Sequence, residues 1–357
     1  MTTTLYVISI APFAGKSATC VSLGTKLRAD GYSIGYIKPV SPQGKEIGGI
    51  LADEDAQFMR EVFSLQESLR DISPVVLNAS LLTSILADRK VKEDHLATIR
   101  AAYDRVSEYK DVVIMEGAAG VMEGAILGLS ALDIVKLLDP KVLLVVRYTD
   151  DLSIEVPFMI KSIIGDNLIG VMFNAVPRGR LEWYQNEVVP FVQNQGMRVF
   201  GVLPLERVLL SISVAEIAET LNGEILNSPE QADELVENLM VGAMALDSAL
   251  DYFRRRPNKV VFTGGDRPDI QLAALQTSTR CIVLTGGVPP SPLIQAQAED
   301  LGVPLILTQE DTLTAVERIE RIFGKSRFHQ EKKVIKFQQL LEQYFDLNAL
   351  YGHLALS

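Results

Sequence analysis

Four consecutive residues, Ala14-Gly15-Lys16-Ser17, form the second half of the phosphate-binding pattern G-x-x-x-x-G-K-[ST]. They stand between an apolar run, Leu5–Ile10, and a segment of helical composition. Backbone N–H groups at a helix N-terminus placed there would face phosphate oxygens. Ala14, Gly15, Lys16, Ser17 and Ala18 are therefore the expected nucleotide-contacting positions. Lys16 would reach the β and γ oxygens and the Ser17 hydroxyl would coordinate Mg²⁺. Ile10 occupies the place of the usual first glycine, and Pro12 removes one amide donor. The alternative is a Gly-Lys-Ser met by chance on a surface turn.

Further residues of the right type follow. Glu116 comes directly after the apolar run Val112–Met115 and opens a glycine-bearing stretch that reaches Gly124. An acid at the carboxyl end of a strand sits where open α/β sheets bind ligands. The competing reading is an N-cap or loop carboxylate. Asp55, in Asp53-Glu54-Asp55-Ala56, precedes a helical segment, where acids are also common as caps. Lys38-Pro39-Val40-Ser41 follows the second apolar run and brings an ammonium to the same sheet edge; a Lys-Pro by itself is a solvated turn. Together, Ser17, Asp55 and Glu116 would bring a hydroxyl and two acids, and Lys16 and Lys38 two ammonium groups, to one edge of the sheet.

These residues need strands to hold them. Leu5–Ile10, Ile34–Ile37, Val112–Met115, Val142–Val146, Leu168–Phe173 and Val199–Leu203 are short aliphatic runs separated by amphipathic segments such as Leu152–Ile164 and Glu182–Gln193. Runs buried on both faces, joined by crossover helices, predict an α/β fold with a mainly parallel sheet and flanking helices. After Leu205 the pattern changes: Val214–Leu221, Ala232–Asn238 and Met240–Phe253 read as helices. Alternation then returns with strands Val260–Phe262, Ile282–Leu284 and Leu305–Leu307 and helices Ile270–Leu275, Leu293–Leu301 and Thr312–Phe323. The division expected is 1–205, 206–325 and a helical tail, 326–357. The tail's amphipathic stretch, Glu331–Ala349, carries Leu340, Leu341, Tyr344 and Phe345, which suit packing within the chain or a homo-oligomer.

The chain has 357 residues, 48% hydrophobic and 22% charged, a globular composition with room for two domains. A formal net charge of −11, with no basic cluster to offset it locally, argues against nucleic acid and anionic membranes as partners. Small metabolites and proteins are the better candidates. Cys20 and Cys281 each lie beside an apolar run and read as buried thiols. With three scattered histidines, zinc is not expected. The N-terminus enters a strand directly, without a basic leader, which predicts a cytoplasmic location.

Taken in order, the phosphate loop, the Lys38-Pro39-Val40 turn, Asp55 and the Glu116-Gly117 run resemble dethiobiotin synthetase and its relatives, including cobyrinic acid a,c-diamide synthase, over about residues 1–205. The resemblance implies a P-loop NTPase-type domain using ATP and Mg²⁺, with Ser17, Asp55 and Glu116 around the metal and Lys38 reaching substrate and phosphate. It also implies that Asn174 contacts adenine. Downstream, Gly264-Gly265-Asp266-Arg267-Pro268-Asp269 and Leu284-Thr285-Gly286-Gly287 resemble the two signatures of a DRTGG domain, a smaller α/β module. Glycine there would let backbone amides approach an anion, and Arg267 would pair with a phosphate or carboxylate. Gly265, Asp266, Arg267, Thr285, Gly286 and Gly287 are thus candidates for a second ligand site. Tight turns whose Asp266 and Arg267 only pair locally are the competing reading.

The order of the two domains resembles the amino-terminal half of long bacterial phosphotransacetylases, and Phe323-Gly324-Lys325-Ser326-Arg327-Phe328-His329 resembles the join before their catalytic domain. Only residues 330–357 follow, so acetyltransferase activity is not expected. Two functions remain. One is a nucleotide-binding regulatory protein that senses a small-molecule effector and docks on a protein of acetyl-phosphate or acyl-CoA metabolism. The other is an ATP-dependent synthetase that phosphorylates a carboxylate or carbamate. A partitioning ATPase fits less well, since Ala11 stands where that group has a signature lysine.

Overall fold

The computed structural model describes residues 2–42, 44–88, 94–244, 246–325 and 328–356, so Ser326 and Arg327 of the expected join lie outside the described residues. The chain divides into two compact units, Met1–Leu205 with Glu331–Ser357, and Glu206–Gln330.

Six strands build the first unit: β1 (Thr3–Ile8), β2 (Ile34–Ile37), β3 (Val112–Glu116), β4 (Lys141–Arg147), β5 (Leu168–Val176) and β6 (Val199–Pro204). They lie in the order β6-β5-β4-β1-β3-β2 with every pairing parallel. Every residue of β2 and β3 is buried, as continuous aliphatic runs require when helices cover both faces. Because all strands run the same way, the segments after β1, β2 and β3 emerge at one edge. Val7 pairs with Glu116 and Ile37 with Met115, a register that sets the phosphate loop, Lys38 and Glu116 side by side. Helix α1 (Lys16–Ala29) leaves the loop after β1, and α2 (Glu54–Val62) follows a small antiparallel hairpin, Lys45–Ile47 with Ile50–Ala52.

The segment expected as one helix over Glu331–Ala349 is two, α3 (Glu331–Tyr344) and α4 (Leu347–Leu354), because Asp346 interrupts the first and caps the second by accepting a hydrogen bond from the Ala349 amide. Leu340, Leu341 and Phe345 are buried within the first unit. Gly201 of β6 makes this seating possible, since a Cβ there would lie 2.5 Å from the Tyr344 carbonyl oxygen. The apolar stripe therefore packs internally and gives no argument for a homo-oligomer.

The second unit holds a five-stranded sheet. Its strands are β7 (Glu224–Ile225), β8 (Asn238–Val241), β9 (Lys259–Gly264), β10 (Thr279–Thr285) and β11 (Leu305–Leu307), ordered β7-β11-β10-β9-β8. Only the β7–β11 pairing is antiparallel. Two expected helices are corrected here. Within Ala232–Asn238 the structure has the short strand Leu235–Val236, paired with Ile212–Ser213, and Met240 lies in β8, followed by the helix Leu246–Arg254. The cause is β8's place at the sheet edge: it is half-buried, so it lacks an unbroken aliphatic run, and its apolar residues blend into the helical period that follows.

Candidate functional site

The phosphate loop spans the turn from Ile8 to Lys16. Gly15 has φ +105°, a left-handed conformation that L side chains rarely adopt, and a Cβ there would stand 2.3 Å from Asn174 Nδ2. Two side chains from neighbouring strand ends hold the loop: Arg147 donates to the Phe13 carbonyl and Asn174 to the Ala14 carbonyl, each at 2.8 Å. A trans peptide points its N–H opposite to its C=O. The Ala14 and Gly15 amides therefore face away from these anchors. Ile10 is 41% exposed, so the residue in the first-glycine position does not fill the loop. Ala18 is buried in the first turn of α1.

Lys16 is buried and donates to Ser9 Oγ at 2.8 Å and to the Ala119 carbonyl at 3.2 Å. Burial lowers its pKa, with Glu116 acting in the opposite direction. Across the loop, Ser17 Oγ donates to Glu116 Oε1 at 2.7 Å and the Tyr36 hydroxyl donates to Glu116 Oε2 at 2.8 Å. Lys38 Nζ lies 2.9 Å from Asp53 Oδ2, 2.9 Å from Asp55 Oδ2 and 3.9 Å from Glu116 Oε1. Ser17, Lys38, Asp55 and Glu116, far apart in sequence, thus meet in one cluster.

The charges are unbalanced. Three carboxylates share two ammonium groups, Lys16 and Lys38, in a largely buried space. Burial works against the Lys38 charge, yet Glu116, Asp55 and Asp53 together raise its pKa well above the usual lysine range. Burial raises the pKa of Glu116 and of Asp53, with Lys38 pulling each back. Lys38 is held charged by the acids around it, which outnumber the ammonium groups.

Asp55 sits inside the first turn of α2, and the cap is Asp53, whose Oδ1 accepts from the Asp55 amide at 2.8 Å. Sequence reasoning gave neither Asp53 nor Tyr36 nor Arg147 a role. Arg147 carried a signal of the same kind as Glu116, a charged residue closing a buried strand. Tyr36 carried none, being an aromatic within an apolar run.

In the second unit, Gly265 approaches the Val288 carbonyl so closely that a Cβ would lie 1.7 Å from it. Two amides of the second signature have partners within the chain: Gly286 N–H donates to the Glu310 carbonyl at 2.8 Å and Gly287 N–H to that of Thr308 at 2.9 Å. These contacts fix the turn against the segment after β11, so neither amide is offered to an anion. Arg267 is bidentate to Asp269 at 3.1 Å and donates to the Met244 carbonyl. Asp266 Oδ1 lies beside Gly264, and Thr285 Oγ1 bonds Thr312 Oγ1 at 2.7 Å. Arg267 and Thr285 are therefore engaged with neighbouring residues.

A parallel sheet with a Gly-Lys-Ser loop after its first strand and an acid closing the adjacent strand defines a P-loop nucleotide-binding fold. The chain belongs to the AAA domain family, whose model matches residues 3–213, and a DRTGG domain model matches residues 216–322. It is 24% identical to a phosphate acetyltransferase of Synechocystis over 99% of this chain and 52% of that protein. It is 28% identical to the ATP-dependent dethiobiotin synthetase BioD of Methanococcus vannielii over 53% of this chain and 87% of the relative. The chain spans about half the length of the phosphate acetyltransferases it matches. Among solved structures it is similar to the cell division protein FtsY of Thermotoga maritima, with 14% identity, a TM-score of 0.35, and coverage of 57% of this chain and 62% of that one. No helix among the described residues is long and apolar enough to cross a membrane.

Proposed function

We propose that the first unit binds ATP together with Mg²⁺, that the DRTGG unit takes a small-molecule effector, and that the protein is a cytoplasmic regulatory component of acetyl-phosphate or acyl-CoA metabolism. The observation that supports the nucleotide reading best is the meeting of Ser17, Lys38, Asp55 and Glu116 beside Lys16 at one sheet edge. A hydroxyl and two carboxylates are hard oxygen donors of the kind Mg²⁺ takes. Lys38 Nζ already stands among these oxygens as a cation, so the donor set fits. Among the described residues no three His, Cys, Asp or Glu side chains are arranged to hold a metal. A Mg²⁺ ion held by two acids and a hydroxyl would take waters and substrate phosphates as its other ligands. When bound, Mg²⁺ would neutralise charge on the β and γ oxygens.

The chain's own residues do the rest. Lys16 bridges the Ser9 hydroxyl and the Ala119 carbonyl, poised over the loop where a terminal phosphate would lie. Asn174 and Arg147 tie down the Ala14 and Phe13 carbonyls, which leaves the amides of the same peptides free of those two anchors. Asn174, for which the dethiobiotin synthetase resemblance implies an adenine contact, lies inside β5, and its side chain is bonded to the Ala14 carbonyl and the Ala175 amide.

An ATP-dependent synthetase is the second reading, favoured by the synthetase relative whose length the first unit nearly spans. Turnover separates the two. The purified chain with Mg-ATP should release ADP at a rate that small carboxylates and diamines do not change; stimulation by one of them would replace the regulatory reading with the synthetase.

A further inference from the structure

Lys38 has more acid around it than one ammonium needs. Its Nζ touches Asp53 and Asp55 at the same distance, 2.9 Å, and Glu116 at 3.9 Å. Asp55 and Glu116 are also the oxygens assigned above to Mg²⁺, so the ammonium and the metal compete for them. Asp53 is different. Its Oδ1 is tied to the Asp55 amide as the cap of α2, which fixes Oδ2 toward Lys38, and the residue is only 4% exposed.

We infer that Asp53 is a positioning residue that retains Lys38 when a divalent cation takes Asp55 and Glu116, making the cluster a cation-exchange site in which the lysine moves aside without leaving. This rests on the Mg²⁺ reading of Ser17, Asp55 and Glu116. The physical requirement is simple: an ammonium displaced inside a largely buried space needs a carboxylate beside it. Asp53 supplies that carboxylate on a rigid helix cap. It also draws Lys38 off the metal's two acids, so its presence favours metal binding through Lys38 rather than by ligation.

The test is a double-variant cycle on the full chain, reading Mn²⁺ affinity by the loss of the free-ion paramagnetic resonance signal, with and without ATP. Asp53→Asn keeps a capping oxygen for the Asp55 amide and removes only the charge. Far-UV circular dichroism confirms that each variant folds. Asp53→Asn should weaken Mn²⁺ binding roughly tenfold, as loss of an outer-shell partner commonly does, because Lys38 then rests wholly on Asp55 and Glu116. Lys38→Met should strengthen binding by removing the competitor. Adding Asp53→Asn to Lys38→Met should cost clearly less than it does alone. Equal losses in both backgrounds would overturn the positioning role, since Asp53 would then act directly on the metal. No Mn²⁺ uptake by the wild-type chain, even with ATP, would overturn the metal site itself and the role of Asp53 with it.

Discussion

Replacing Lys38 with Met removes the ammonium that contacts Asp53, Asp55 and Glu116 together and leaves Lys16 near Glu116 alone. The Lys38 side chain is 7% exposed and those of Asp53 and Glu116 are 6% and 2%, so solvent does little to soften the loss. Breaking a buried pair by deleting one partner costs about 3–5 kcal/mol, because an uncompensated charge is left behind. Asp55, at 27% exposed, recovers some hydration, which places the expected loss at about 3 kcal/mol. The loss should shrink in acid, since Glu116 and Asp53 already take up protons more readily than ordinary carboxylates. Mg²⁺ should restore much of it: an ion present at roughly a hundred times its dissociation constant adds about 2.7 kcal/mol. Trp183 is the only tryptophan and belongs to the first unit, so urea unfolding followed by its fluorescence reports on the correct unit. A variant as stable as wild type, or one whose stability ignores Mg²⁺, would refute the reasoning.

Other perturbations reach other parts of the chain. Gly15→Ala places a side chain at φ +105° and against Asn174, so the phosphate loop should shift and Mg-ATP affinity fall at least tenfold or so, measured by calorimetry. Gly265→Ala brings a Cβ onto the Val288 carbonyl and should destabilise the second unit by about 1–3 kcal/mol, seen as an earlier urea transition by far-UV circular dichroism while Trp183 fluorescence is unchanged. Lys259 is fully buried, and burial lowers its pKa from 10.5 to about 8. Between those values the unfolded chain binds one more proton, so stability of the second unit should rise with pH across that window, and Lys259→Met should flatten the rise. Arg267→Ala should leave Mg-ATP affinity unchanged by calorimetry, since its bonds are to Asp269 and Met244 within the second unit.

Much of the candidate site was legible because strand ends are legible. Val112–Met115 is an aliphatic run that can only be a buried strand, so the acid after it had to emerge at the sheet edge, and the Gly-Lys-Ser after Leu5–Ile10 had to emerge at the same one. Lys38 and Glu116 became neighbours through the pairing of Ile37 with Met115, a register no local pattern prints. Asp53 was hidden by being a cap: one oxygen serves the helix, as its position suggests, and the other serves Lys38, which only the folded chain reveals. In the second unit the glycine signatures marked tight turns correctly but not the fate of their amides. The partners of Gly286 and Gly287 lie at Glu310 and Thr308, beyond an intervening helix. The half-buried edge strand β8 was read as helix because its apolar residues suit either period.

Calorimetric titration of ATP into the full chain, with Mg²⁺ and with chelator, tests the central claim most directly, using Glu116→Gln as the control that keeps the side chain's shape. The account predicts uptake of one nucleotide per chain that needs Mg²⁺ and is lost or much weakened in Glu116→Gln. Absence of uptake by the wild-type chain, or equal affinity with the ion removed, would contradict it.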